Sequence, residues 1–134
     1  MMSKAVFVFH LIRLAAATWY RPTDYEGVTF CGQYTDDLIE NQIQWVALDV
    51  DLYLSDEVSC WDEIVVEFQD GSRLYAYALD AGPFRDYYIE QYGPDVPIIV
   101  DIPDHLWDRD GRSRLVSVIH LTGMKEELEE MIRR

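Results

Sequence analysis

Between Glu63 and Leu79 the chain alternates with a period of two on both sides of Asp70-Gly71. Ile64, Val66 and Phe68 fall on one side of the first arm, and Val65 and Glu67 on the other. On the return arm Leu74, Ala76 and Ala78 face one way, and Tyr75 and Tyr77 the other. Period two is strand geometry, and Asp-Gly between two such runs is a hairpin turn. The pattern therefore pairs Glu63–Phe68 with Arg73–Leu79 as antiparallel strands. The second arm stops at Asp80, and Ala81-Gly82-Pro83-Phe84 follows. Asp80 thus stands where a strand ends and the chain swings away, a place where a rigid scaffold can present a chemical group. The same residues also spell an ordinary Asp-x-Gly-Pro turn.

The rest of the chain repeats the theme of short β-rich runs ended by turn residues. Ala5–Ile12 and Ala15–Tyr20 read as strands, and Arg21–Glu40 as a long polar loop with Pro22, Gly27 and Gly32. Trp45–Leu54 reads mostly as strand, and Tyr87–Tyr92 as a short helical turn. Pro97–Ile102 is an apolar run of strand length, and Pro103–Trp107 resembles one helical turn with proline at its start. Asp110-Gly111 turns the chain into Ser113–Leu121, another strand. The tail, 122–134, reads as a helix that Thr122 can cap, with Met124, Leu128, Met131 and Ile132 as an apolar stripe. Many short strands and little helix before the tail predict an all-β fold, a small closed barrel in one domain over 1–134.

Charge narrows the function. Eleven Lys and Arg against 25 Asp and Glu give a net charge of −14. Such a chain gains no counterion release on nucleic acid and is repelled by an anionic membrane, so its ligand is neutral or cationic. The two cysteines, Cys31 and Cys60, lack any Cys-x-x-Cys or His pair at ligand spacing, which argues against a metal site. A disulfide and two buried thiols remain equal readings. No cofactor motif is present. Residues 1–17 have two readings. Lys4, the apolar run to Ile12 and Ala15-Ala16-Ala17 outline a secretion signal, which would place the protein in the periplasm, the cell wall or outside the cell. The same residues also make a retained strand, which leaves the cytoplasm or a virion open. The run is too short to span a bilayer.

Taken in order, the pieces Trp19-Tyr20, Gly27-Val28-Thr29-Phe30-Cys31-Gly32-Gln33, Trp45-Val46-Ala47-Leu48, Cys60–Val66, Asp80-Ala81-Gly82-Pro83-Phe84 and Val100-Asp101-Ile102-Pro103 form a pattern. It resembles the double-psi β-barrel domain of the rare lipoprotein A, barwin and expansin group over residues 18–121. The resemblance implies a six-stranded double-psi barrel with a shallow groove, whose members bind or cleave cell-wall polysaccharide. Some are lytic transglycosylases acting on peptidoglycan. It also implies roles for single residues. Asp80 matches the groove aspartate, Asp101 the aspartate of the group's Ile-Asp-Leu-Ser motif, and Thr29 and Gly32 the first loop. Asp36 falls where bacterial members carry an acidic residue. Three positions depart from the pattern: Gln33 replaces a glutamate, Asp49 stands near the place of a histidine, and Pro103 replaces a serine. The flanks of Cys31 and Cys60 match cysteine positions of eukaryotic relatives, which implies that the two meet.

Glycan cleavage needs an acid for the departing oxygen, and commonly a second carboxylate. Asp80 can be that acid if Phe84, Tyr77 or Trp107 supplies an apolar wall, with Asp101, Asp36 or Asp49 as its partner. Asp36 and Asp37 read equally as a solvated loop, and Asp49 and Asp51 as a half-exposed strand. Sugars stack on aromatic faces with polar groups at their edges, which nominates Thr29, Gln33, Tyr34, Tyr87, Tyr88 and Trp107 for substrate binding. Of His10, His105 and His120, only His105 falls near the expected groove. Two functions follow. One is a glycan-directed module, either a lytic enzyme or an expansin-like binder. The other is a structural component of a phage or particle, associating through its tail helix with a protein partner or with further copies of itself.

Overall fold

The structure is a computed structural model and describes residues 9–22, 27–84, 98–107 and 114–122. The readings made for 1–8, for Tyr87–Tyr92 and for the tail helix beyond Thr122 lie outside these residues. Six strands close into a barrel: β1 (Phe9–Tyr20), β2 (Trp45–Asp49), β3 (Glu63–Glu67), β4 (Arg73–Gly82), β5 (Ile98–Pro103) and β6 (Arg114–Thr122). Their order around the barrel is β1-β5-β2-β4-β3-β6. Two neighbours run parallel, β1 with β5 and β2 with β4, and the other contacts are antiparallel. This is the mixed, crossed-over arrangement of a double-psi barrel. Closure removes every free sheet edge.

Alternation decides what each strand buries. Ala15 and Ala17 of β1, Val46 and Leu48 of β2, Ile64 and Val66 of β3, and Ala76 and Ala78 of β4 fill the interior. Ile98, Val100 and Ile102 of β5 join them, with Val116 and Val118 of β6. Small alanines and branched residues suit the narrow interior of a six-stranded barrel. The hairpin expected at Asp70-Gly71 forms, with Val65 opposite Tyr75 and Val66 opposite Leu74. Gly71 takes φ +86°, a left-handed conformation that glycine adopts without a side-chain clash.

Four segments differ from the sequence reading. The two strands expected before Tyr20 are one continuous strand, because Arg13 lies in the β1–β6 ladder and reaches Glu57 at 3.1 Å. Ala15-Ala16-Ala17 are completely buried in that strand, so a cut after them would remove most of β1 from the barrel. The loop over 21–40 contains a helix, α1 (Thr35–Glu40). The strand expected through Leu54 ends at Asp49 and continues as a second helix, α2 (Val50–Leu54), which places Asp51 in a helical first turn. Thr122, expected to cap a helix, is the last residue of β6.

Candidate functional site

The outward-facing residues of four strands build the site. Thr18 of β1 lies opposite Asp101 of β5, Asp101 opposite Ala47 of β2, and Ala47 opposite Asp80 of β4. Residues opposite each other in a ladder share a face, so Thr18, Asp101, Ala47 and Asp80 form one row across the outside of the barrel. Two interstrand steps separate the two aspartates, which puts their Cα atoms about 9.5 Å apart.

Simple alternation along β4 would turn Asp80 into the barrel, because Ala76 and Ala78 point inward. A β-bulge prevents this. The register shifts so that Val46 faces Ala78 and Ala47 faces Asp80, leaving Leu79 as the extra residue. One inserted residue reverses the facing of everything after it. Leu79 then packs outside the barrel with Trp45 and Leu38 of α1 in a second apolar cluster. Asp80 emerges beside it, and Ala81 returns to the interior.

Donors surround the Asp80 carboxylate. The Tyr20 hydroxyl donates to it at 2.8 Å, and the Phe30 and Ala81 amides each donate at 3.0 Å. Trp45 donates its indole N–H to the Tyr20 oxygen at 2.9 Å, which fixes the phenol. The Tyr53 hydroxyl donates to the Asp80 backbone carbonyl at 2.8 Å. Burial, and then the Asp80 charge, push the Tyr20 and Tyr53 phenols well above their usual range, so both stay neutral donors. Asp101 is more deeply placed, 6% exposed, and accepts the Thr18 hydroxyl at 2.7 Å. Burial pushes its carboxyl up to about 6; the Thr18 hydrogen bond opposes the rise and the Asp80 charge adds to it.

The first loop reaches this row. Gly27 to Tyr34 close on themselves through a bridge between Val28 and Tyr34. Cys31 donates its amide to the Leu79 carbonyl at 2.9 Å and is joined by a disulfide to Cys60, with Cα atoms 5.8 Å apart. These ties carry the Phe30 amide to Asp80. Thr29 is buried and donates to the Gln33 side chain at 3.1 Å, while the Gln33 amide donates to the Cys31 carbonyl at 3.0 Å. Both residues therefore shape the loop. Tyr34 is 64% exposed beside them.

The remaining expected residues are spread more widely. Asp49 is buried at the end of β2 and accepts the Phe84 amide at 3.1 Å, so it holds the turn after Asp80. Asp36 is exposed in the first turn of α1 and hydrogen-bonds to neither Asp80 nor Asp101. Trp107 packs against the barrel core, 6.2 Å from the Phe68 ring. Tyr77 makes an edge contact with Trp61. Phe30 and Tyr53, which reach Asp80 through the Phe30 amide and the Tyr53 hydroxyl, place their rings 5.0 Å apart. Tyr87 and Tyr88 lie outside the described residues. His105 sits on the 3-10 turn Asp104–Leu106, its ring 5.1 Å from that of Trp45. Burial holds its imidazole below the usual value, with Asp104 opposing. His120 is buried and hydrogen-bonded to Asp62 at 2.8 Å. Thr18, Tyr20 and Trp45 are the site residues that reading for carboxylates passes over. Alternation from the buried Ala15 and Ala17 would have placed Thr18 and Tyr20 outward together.

No protein-family model matches the chain, and no curated protein matches it. Among solved structures, the chain is similar to the apo expansin of Clavibacter michiganensis, with a TM-score of 0.54 at 16% identity. The match covers 84% of this chain and 52% of the expansin, so the chain spans about half of that protein. The fold is an expansin-like double-psi barrel. No helix among the described residues is long and apolar enough to cross a membrane.

Proposed function

We propose that the protein is a cell-wall-polysaccharide-directed barrel that engages its glycan across the Thr18–Asp101–Ala47–Asp80 row. One observation carries this reading: two carboxylates share an outward row, and their surroundings differ. Asp101 is buried and raised to about 6, whereas Asp80 is ringed by donors. Paired carboxyl groups in unlike environments are how one site holds an acid and an acceptor at the same pH. Asp101 is then the group that keeps a proton into mildly acidic conditions and can donate a hydrogen bond to a sugar oxygen. Asp80 accepts a hydrogen bond from a hydroxyl of the sugar. Thr18 and Tyr20 position the two carboxyls.

The expansin-like binder is the subtype this arrangement favours over a lytic transglycosylase. Gln33 brings an amide where lytic members use a carboxyl, and both ends of that amide are already engaged within the loop. An amide transfers no proton in cleavage. Wall binding without chain scission is therefore the expected activity, with peptidoglycan as the first glycan to try. The test is co-sedimentation of the purified protein with insoluble peptidoglycan, alongside a muropeptide-release assay. Wild type should sediment, and Asp80→Asn and Asp101→Asn should each weaken sedimentation. Equal sedimentation by both variants would overturn the assignment of the row, and release of muropeptides by wild type would restore the lytic subtype.

A further inference from the structure

A second concave surface lies on the outer face of β3 and β4, away from the carboxylate row. It is an open groove of about 580 Å³ lined by Gln42, Ile43, Gln44, Glu63, Tyr75 and Tyr77. That volume is in the range of ordinary small-ligand sites. Tyr75 is 59% and Tyr77 37% exposed. They stand two residues apart on one strand, so their rings line the same face about 7 Å apart. The buried cluster of Trp45, Leu38 and Leu79 separates this groove from Asp80.

Three polar side chains of the groove are uncommitted. Among the described residues, the side chains of Gln42, Gln44 and Glu63 make no hydrogen bond or ion pair. Gln42 also sits in a conformation that disfavours it. It follows Asn41, the C-cap of α1, and takes φ +58°. Its amide donates to the Ile39 carbonyl and that of Ile43 to the Leu38 carbonyl, which closes the helix. Glycine is the residue that this left-handed position prefers, so a long amide there carries a conformational cost.

We propose that this groove is a second binding site, and that it takes a neutral oligosaccharide. Sugar C–H groups carry partial positive charge and fit the negative faces of Tyr75 and Tyr77, while Gln42, Gln44 and Glu63 meet hydroxyls at the edges. Other ligand classes fit less well. Arg73, beside Tyr75 at the groove edge, is already paired with Glu67 at 2.8 Å and is not open to an anion. A peptide cannot add as a strand, because β3 and β4 are both paired on both sides in the closed barrel. A purely apolar ligand would leave three polar side chains without partners. A strip of two rings with one carboxylate does not enclose a cation as an aromatic cage does.

The test is an amide-shift titration of the ¹⁵N-labelled full chain with the uncharged, fully N-acetylated chitohexaose and, separately, with spermine. Chitohexaose should shift Gln42, Gln44, Tyr75 and Tyr77 saturably and independently of salt. Tyr75→Ala/Tyr77→Ala should weaken binding about tenfold or more. Asp80→Asn and Asp101→Asn should leave these shifts intact, so a failure of the carboxylate row and a failure of this groove are read separately. Because Tyr77 also touches Trp61, a second variant guards against a folding defect. Gln42→Gly relieves the left-handed backbone, so it should keep or raise the melting temperature while weakening chitohexaose binding. The proposal is overturned if chitohexaose leaves these four amides unmoved, if Gln42→Gly binds as tightly as wild type, or if spermine shifts them in a salt-sensitive way instead.

Discussion

Replacing Asp101 by Asn tests the carboxylate row through stability, independently of any ligand. Asp101 is buried, and its carboxyl is raised from 3.8 to about 6, first by burial. The sign follows from proton counting. Between pH 3.8 and about 6 the folded chain holds a proton that the unfolded chain has released. The stability owed to the neutral acid is therefore complete below the unfolded value, and is lost as pH rises through the folded one. Roughly two pKa units at 1.36 kcal/mol each amount to about 3 kcal/mol lost by neutral pH. Asparagine keeps an oxygen for the Thr18 hydroxyl and cannot ionise.

The measurement is urea unfolding of wild type and Asp101→Asn, followed by circular dichroism from pH 3.5 to 7.5 with the disulfide intact. Other carboxylates of this acidic chain titrate in the same range, so only the difference between the two proteins is read. That difference should move in favour of Asn by about 3 kcal/mol as pH rises, with most of the change between pH 4 and 6.5. A difference that stays flat across the range, or that moves in favour of wild type, would show that Asp101 does not hold its proton above the ordinary carboxylate range. Its role as a hydrogen-bond donor to the sugar would then fall with it.

Tyr20→Phe removes the hydroxyl that donates to Asp80 and accepts from Trp45. It should cost about 1.5–3 kcal/mol in urea unfolding while leaving the far-UV spectrum unchanged, and a cost near zero would mean that the phenol does not hold the carboxylate. Cys31 and Cys60 close a loop with a sequence separation of 29, which predicts about 3–4 kcal/mol of stabilisation from restricting the unfolded chain. Cys31→Ser/Cys60→Ser should show that loss in non-reducing unfolding, and should also weaken peptidoglycan sedimentation by releasing the Phe30 amide from Asp80; unchanged values in both assays would make the bond incidental.

How far the sequence could be read is set by the range over which each feature is determined. The hairpin at Asp70-Gly71 and the inward faces of β3 and β4 depend on neighbours a few residues apart, and alternation reveals them. The end of β4 does not behave this way. Leu79-Asp80 reads as the stop of a strand, but the strand continues to Gly82 because β2 pairs with it on the far side of the bulge. Nothing local marks Leu79 as the extra residue, since its reason is the outside cluster with Trp45 and Leu38, drawn from distant parts of the chain. The same holds at Asp49. Its alternation with Asp51 looks like strand, yet β2 stops there because its partner runs out at Gly82 and α2 begins. Asp80 and Asp101 were recognisable as carboxylates of interest. Thr18 and Tyr20 follow from alternation once Ala15 and Ala17 are known to be buried, and Trp45 joins them through its hydrogen bond to Tyr20.

Those ladders also explain why the row lies where it does. β1 and β5 run parallel and end at Tyr20 and Pro103, while β2 and β4 run parallel and end at Asp49 and Gly82. The two pairs approach from opposite directions, and β2 meets β5 through only two residue pairs, Ala47 with Asp101 and Leu48 with Val100. The seam between the pairs is thus an overlap of strand ends. Beyond it the chain turns aside on every strand: into Pro22 after β1, into α2 after β2, through Pro83 after β4 and into the 3-10 turn after β5. A carboxylate in the middle of a long ladder would be flanked by other strand residues on both sides. At this seam each aspartate has a ladder neighbour toward the row and a departing turn beyond it, so backbone amides such as that of Phe30 can reach Asp80. The bulge at Leu79 supplies the last requirement, turning Asp80 outward to the same face as Asp101. Chain direction opens the space, register aims the groups into it, and burial strengthens the hold of Asp101 on its proton.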